Sequence, residues 1–329
     1  MPHDPAAPAP RRRLVAVLPG LDAQQQARLT AAAAAQGFEA LLFEEDAAAL
    51  PWLEEAEIVL GQSAALARRS PRLRWFCTPS AGVDHLVREE RFRSPDVALT
   101  NSSGAYGVTI AEHTVMVILE VLRRQADYAG IVARREWRRD LPVRSFKGSR
   151  ILLLGTGDLG RETALRLRAF GPARLTGVSR RGLDPDGLFD RAVPVEMLDS
   201  LLPETDILII SLPGTPQTRR LLDADRLARL PEGALLVNVG RGSVLDQQAL
   251  AAELRAGRLC AALDVFETEP IPPADPLWAC PNLLITPHVA GNMTLPYTRE
   301  RILSLFLEDF ENYCAGRPLR RRVDPRRGY

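Results

Sequence analysis

The sequence predicts an α/β chain of two doubly wound units, and three observations carry that prediction. Short apolar runs recur along the 329 residues with helix-compatible segments between them. A glycine-rich turn follows one of those runs, and the side chains best suited to chemistry stand just after others. Taken in order, residues 14–18 read as a strand, 23–36 as a helix, 58–60 as a second strand and 73–78 as a third. A helical pattern then starts near Tyr106 and runs through Ala111, Val115, Ile118, Leu119 and Leu122. It carries more apolar surface than one amphipathic face needs, which predicts a buried helix with a subunit interface as a candidate cover. The arginine-rich stretch 134–144, with Trp137, reads as an arm or connecting loop. Beyond it, strand-like runs at 151–154, 207–212, 234–238, 261–265 and 283–286, with helical segments such as 247–255 between them, complete a parallel sheet. No internal repeat at a fixed period is present.

The turn is Gly155-Thr156-Gly157-Asp158-Leu159-Gly160, entered from Ile151, Leu152, Leu153 and Leu154 and followed by Ala164, Leu165, Leu167 and Phe170 at helical spacing. Strand, Gly-x-Gly-x-x-Gly and helix together form a dinucleotide-binding unit. The first glycine allows the turn, the second admits a pyrophosphate, the third permits close packing, and the helix N-terminus offers free N–H groups. About twenty residues beyond such glycines, NAD-specific sites place an acid for the ribose hydroxyls. Here the position is Ser179, followed by Arg180 and Arg181. A neutral hydroxyl and two guanidinium groups suit the extra phosphate of NADP, so a preference for NADP is expected, with NAD possible. Solvated surface charge is the competing reading of the two arginines.

The charge is balanced, 42 basic against 41 acidic residues, which leaves no global field to recruit nucleic acid or an anionic membrane and points to a small-molecule partner. Cys77, Cys260, Cys280 and Cys314 are widely spaced, with no Cys-x-x-Cys pair and no zinc-site spacing. Reduced thiols, no metal and a cytoplasmic location follow as expectations. Residues 1–13 are Pro- and Ala-rich and then basic, but 14–18 is too short for a signal-peptide core, and no run reaches transmembrane length.

Three strand endings gather chemistry at one edge of the sheet, where ligands of such folds bind. Asn238-Val239-Gly240-Arg241-Gly242 places an arginine that can fork onto a carboxylate and the neighbouring carbonyl of a 2-oxo acid; a helix-capping arginine is the alternative. Asp264, Glu267 and Glu269 follow the next run, and Thr286-Pro287-His288 ends the last. A lone histidine argues little, but Arg241, Glu269 and His288 after consecutive strands form a constellation.

These runs, with Ser80-Ala81-Gly82-Val83-Asp84, the junction from Asn101 through His113, and Leu212-Pro213-Gly214-Thr215-Pro216-Gln217-Thr218, resemble the D-isomer-specific 2-hydroxyacid dehydrogenase family over nearly the whole chain. The resemblance implies a Rossmann dinucleotide-binding domain, 102–292, inserted in a flavodoxin-like substrate-binding domain, 1–101 and 293–329, with hinges near Asn101 and Asn292. It implies that Arg241 grips the substrate, that His288 is the acid/base, and that Glu269, rather than Glu267, pairs with that imidazole and favours its charged form. The substrate carboxylate would meet backbone amides around Ser80, Ala81, Gly82 and Val83. Dinucleotide contacts would come from Gly155, Thr156, Gly157, Asp158, Leu159, Gly160, Ser179, Arg180 and Arg181. They would extend to Ser211, Leu212, Pro213, Thr218, Val239, Gly240, Asp264, His288 and Gly291, with Asp264 on the nicotinamide carboxamide. Departures from the family pattern are Ser179 for the usual acid and Glu136 before Trp137.

The expected activity is NAD(P)H-dependent reduction of a small 2-oxo acid of the glyoxylate or hydroxypyruvate type by a homodimer. The substrate's side chain would lie near Trp52, Phe76 and Tyr106. A dinucleotide-sensing, corepressor-like interaction protein is the alternative; the sequence is nearly all core, and its terminal arginines, Arg320, Arg321 and Arg322, are too few to argue for nucleic acid.

Overall fold

The structure is a computed structural model, and it describes residues 12–84, 86 and 92–324. The leader 1–11 and the terminal residues 325–329, including Tyr329, lie outside the described residues. The chain forms two compact units, Met1–Ala105 with Met293–Tyr329, and Tyr106–Asn292.

The first unit opens with β1 (Arg12–Val17), α1 (Ala23–Ala35), β2 (Phe38–Phe43), α2 (Asp46–Ala49), β3 (Ala56–Leu60), α3 (Ala64–Arg69), β4 (Trp75–Cys77) and β5 (Ala98–Thr100). Among the described residues its sheet has five strands, all parallel, in the order β2-β1-β3-β4-β5. That is the flavodoxin-like order. Asp22 starts α1 by accepting from the Gln25 amide at 2.8 Å while the Gln25 side chain returns to the Asp22 amide at 3.1 Å, a capping box. Strand β2 escapes the sequence pattern because Phe-Glu-Ala-Leu-Leu-Phe, coming straight after an alanine-rich helix, has no clean alternation. Its separation from α1 is made by Gly37, whose φ of 74° ends the helix.

The second unit begins with α4 (Gly107–Leu122) and α5 (Gln125–Ala133) and continues through β6 (Arg150–Leu154), α6 (Asp158–Arg168), β7 (Arg174–Ser179) and β8 (Arg191–Pro194). It then adds α7 (Leu198–Leu201), β9 (Ile207–Ile210), α8 (Ala224–Arg229), β10 (Leu235–Asn238), α9 (Gln247–Arg255), β11 (Cys260–Leu263) and β12 (Leu283–Ile285). Seven parallel strands among the described residues run β12-β11-β10-β9-β6-β7-β8, so the order reverses between β6 and β9. Such a reversal opens the crevice in which a doubly wound sheet binds ligands. The strands are apolar on both faces, as a sheet covered on both sides requires; Ile207, Leu208, Ile209 and Ile210 are all buried. Edge strand β8, which the sequence reading passes over, buries only Val193 and ends in Pro194.

Helix α4 buries Ala111, Thr114, Ile118 and Leu122 and lies against α6, so part of the apolar surface read from the sequence is covered within its own unit. Met116 stays 44% exposed, and in α6 Ala164 and Leu167 are buried while Leu165, and Phe170 just beyond the helix, are exposed. The stretch 134–144 carries no helix or strand, and Trp137 is 90% exposed.

The chain re-enters the first unit as α10 (Pro296–Cys314). Trp75 of β4 stacks on Phe306 at 5.1 Å and on Tyr313 at 5.4 Å, and its indole N–H donates to Thr100 Oγ1 at 2.9 Å. Arg12 makes a forked pair with Glu57, which also accepts from Tyr313. The guanidinium holds the Glu57 carboxyl below its ordinary range, and burial pushes the Cys77 thiol up to about 12. Phe76 is fully buried and Tyr106 nearly so, whereas Trp52 is 46% exposed and lies beneath the Arg13 guanidinium. No helix of the described residues is long and apolar enough to cross a membrane.

Candidate active site

Strand β6 delivers Gly155 with φ 102°, a conformation a side chain resists, and its amide donates to Val178 O at 2.8 Å. A Cβ on Gly160 would stand 2.0 Å from Gly155 O, so α6 can approach the strand only through glycine. A Cβ on Gly157 would meet nothing within 4 Å, which leaves open space over the N-terminus of α6. That space, at the amide end of the helix, fits the pyrophosphate of a dinucleotide. Ser211 after β9 supports the loop: its hydroxyl lies 3.1 Å from both Leu154 O and Gly155 O. Thr218 likewise closes its own turn by donating to Pro213 O at 2.6 Å.

Ser179 ends β7 half-buried, and Arg180 and Arg181 follow it exposed. The acids of the next loop have other work. Asp184 accepts from the Leu188 and Phe189 amides, and Asp186 pairs with Arg161 at 2.5 Å.

Arg241 leaves β10 through a loop with little freedom. The buried Asn238 amide donates to Arg241 O at 3.0 Å and its oxygen accepts from Gly240 N at 3.1 Å. Arg241 Nη1 donates to Gly240 O at 2.8 Å. A Cβ on Gly242 would come within 1.9 Å of the Phe266 carbonyl carbon, so the chain after β10 lies flat on the chain after β11. Asn238 was not singled out as a site residue from sequence; an amide at the last position of an otherwise apolar strand is the signal that marks it.

Glu269 and His288 meet: Nδ1 of the imidazole is 2.7 Å from Glu269 Oε2, while Oε1 accepts from Phe266 N at 2.8 Å. The second bond anchors the carboxylate, so the first orients a ring that is itself 51% exposed. Glu267 is engaged elsewhere, exchanging hydrogen bonds with Gln247 and standing 3.6 Å from Arg220. His288 has φ 53°, a left-handed conformation that costs a non-glycine residue about 1 kcal/mol or more. Asp264, 3% exposed, holds that turn. Its carbonyl accepts from His288 N at 2.9 Å, and its carboxylate accepts from Thr286 Oγ1 at 2.6 Å, Val289 N at 2.9 Å and Ala290 N at 3.1 Å. Thr286 is a second supporting residue, one that the sequence reading quotes beside His288 without giving it a role.

Arg241, Glu269 and His288 thus follow β10, β11 and β12, adjacent strands of one sheet. Ser80, Ala81, Gly82 and Val83 belong to the first unit. There Ser80 Oγ donates to Gly82 O at 2.7 Å, Asn101 Nδ2 to Ala81 O at 2.8 Å and Ser102 N to Ser80 O at 3.0 Å. The carbonyls of Ser80, Ala81 and Gly82 are therefore engaged.

The model of the D-isomer specific 2-hydroxyacid dehydrogenase NAD-binding domain matches residues 115–290. A glyoxylate reductase of Thermofilum pendens is 34% identical over 68% of this chain and 67% of its own. The crystal structure of a D-isomer specific 2-hydroxyacid dehydrogenase family protein from Aeromonas salmonicida is 32% identical, covers 96% of this chain and 99% of that one, and superposes with a TM-score of 0.85. An NADPH-dependent glyoxylate/hydroxypyruvate reductase from Sinorhizobium meliloti, solved with NADP and sulfate, is 28% identical, covers 97% and 100%, and has a TM-score of 0.81. With a glycine loop that fits a nicotinamide dinucleotide, this chain belongs to the D-isomer specific 2-hydroxyacid dehydrogenase family and is an NAD(P)-dependent oxidoreductase acting on CH–OH donors.

Proposed function

We propose that the protein reduces a small 2-oxo acid of the glyoxylate or hydroxypyruvate type to its D-2-hydroxy acid, with NADPH preferred. The observation that carries the chemistry is the 2.7 Å pair of His288 and Glu269 beside the strand ending that bears Arg241. Its relatives named for glyoxylate and hydroxypyruvate reduction support the substrate class. The same relatives support an enzyme over a dinucleotide-sensing interaction protein.

With Nδ1 committed to Glu269, Nε2 of His288 is the ring atom left to give a proton to the substrate's carbonyl oxygen as it becomes an alkoxide. Arg241 clamps the substrate carboxylate and polarises the carbonyl, and the amides around Ser80, Ala81, Gly82 and Val83 are the first unit's candidate donors to a carboxylate. The bound dinucleotide supplies the hydride. Gly155 to Gly160 hold its pyrophosphate, Asp264 takes the nicotinamide carboxamide, and Ser211, Leu212, Pro213, Thr218, Val239, Gly240 and Gly291 line its course. Domain 102–292 has this role and domain 1–101 with 293–329 binds substrate.

The NADP preference rests on Ser179, Arg180 and Arg181. A carboxylate at Ser179 would repel the adenosine phosphate, and the two exposed guanidinium groups offer it paired donors. Initial rates with NADPH and NADH across glyoxylate, hydroxypyruvate, pyruvate and a branched 2-oxo acid test both parts. NADPH with one of the first two should give the highest kcat/KM. Arg180→Ala/Arg181→Ala should raise KM for NADPH about tenfold or more and leave that for NADH nearly unchanged, since charge-assisted bonds worth about 1.5–3 kcal/mol are lost. Equal loss with both dinucleotides would sink the assignment.

The reading includes a cytoplasmic homodimer. The outward Met116 of α4 and the exposed Trp137 in the arm 134–144 support an apolar contact with a second copy. A sedimentation mass of one chain at micromolar concentration would contradict it.

A further inference from the structure

Helix α4 contributes a histidine to the underside of the His288 turn. His113 Nε2 lies 3.2 Å from Thr286 Oγ1 and 3.8 Å from Asp264 Oδ1, with only 11% of its side chain exposed. The direction of the hydrogen bonds follows from counting protons. The Asp264 carboxylate only accepts, so the single Thr286 hydroxyl proton goes to it across 2.6 Å. Thr286 Oγ1 then has only lone pairs for His113, and Nε2 of His113 must carry the proton. The chain of bonds runs one way, from His113 through Thr286 to the carboxylate that also receives the amides of Val289 and Ala290.

We propose that His113 is a positioning residue for His288, acting as the neutral Nε2–H tautomer through Thr286 and Asp264. What it positions is a turn in an unfavourable backbone conformation. His288, at φ 53°, sits between Thr286 and Val289, both of which Asp264 holds by its side chain, and such a φ persists only where the surroundings over-determine it. His113 fixes the Thr286 rotamer from a neighbouring element, so the hydroxyl cannot swing away from Asp264. Burial lowers the His113 pKa, against the opposing pull of the Asp264 and Glu120 charges, and so favours the neutral ring. A neutral ring adds no positive charge to compete for Asp264.

This inference rests on His288 being the proton donor, and its first test does not use activity. Long-range proton–nitrogen correlation spectra of histidine-labelled protein should show His113 with a protonated Nε2 and a bare Nδ1 at neutral pH, the signals being assigned by their loss in His113→Gln. The opposite tautomer overturns the proposal. In the second test, His113→Leu should lower kcat about tenfold while the dinucleotide Kd stays within about twofold, because misplacement of a reacting group costs rate rather than binding. His113→Gln, whose amide nitrogen can donate from nearly the place of Nε2, should recover most of that loss. Thr286→Val should mimic His113→Leu, and the double variant should lose little more than either alone. Equal loss in the Gln and Leu proteins, or a loss confined to dinucleotide affinity, overturns the proposal. Should His113→Leu fail to fold, the Thr286→Val and Thr286→Ser pair applies the same criterion, with Ser expected to retain the rate. If His288→Ala left turnover intact while the tautomer was as stated, the failure would be that of the proton-donor assignment and not of the hydrogen-bond chain.

Discussion

His288→Ala should lower kcat for 2-oxo acid reduction by about 10²- to 10⁴-fold, the range a positioned general acid contributes, with dinucleotide Kd little changed. The reason is the absence of a substitute. The imidazole is tied through Nδ1 to Glu269, itself anchored on Phe266 N, so one ring nitrogen is held ready and no other acid is held in its place by the same loop. Alanine in place of His288 also relieves none of the turn, because Asp264 still grips Thr286, Val289 and Ala290. The variant should therefore fold, and fluorescence titration with NADPH checks that it binds. Glu269→Gln should lose less, about tenfold or more, since the amide still reaches Nδ1 but no longer supplies the charge that steadies an imidazolium. Unchanged turnover in the alanine protein would remove His288 from the mechanism.

Arg241→Lys should lower kcat/KM for the oxo acid by about 10²-fold or more, with KM rising and kcat falling together. Lysine keeps the charge, so the experiment isolates geometry. The planar fork can hold a carboxylate and the adjacent carbonyl oxygen at once, and an ammonium on a flexible stem cannot. The loop that presents the fork is specified by Asn238, which binds both Gly240 N and Arg241 O, and by Gly242, pressed on the Phe266 backbone. Because those supports are main-chain contacts, the lysine protein should keep its fold and its melting temperature. A kcat/KM within threefold of the parent would show that charge alone suffices there.

Much of this was legible in the chain itself, for identifiable reasons. The runs at Ile151, Ile207 and Leu235 are apolar on both faces, so they announce strands of a covered parallel sheet without any alternation, and the glycine loop follows one of them. What escaped was short or ambiguous. Strand β5 has three residues, β8 ends in a proline, and β2, coming straight after an alanine-rich helix, shows no clean alternation. The ends of strands were also overextended: residues 211 and 212 follow β9, where Ser211 N still donates to Leu154 O at 2.8 Å while its hydroxyl lies against Leu154 O and Gly155 O at the start of the glycine loop. At the site, charged and titratable residues were readable since few side chains do that chemistry. Asn238, Thr286 and His113 were not, because supporting hydrogen bonds bridge residues far apart in sequence and leave no spacing to recognise.

The measurement that tests the central claim most directly couples cofactor consumption to product. Purified protein, NADPH and hydroxypyruvate should yield one D-glycerate for each NADPH oxidised, with NADH a poorer donor. No oxidation of either dinucleotide, or L-glycerate as the product, would contradict the account.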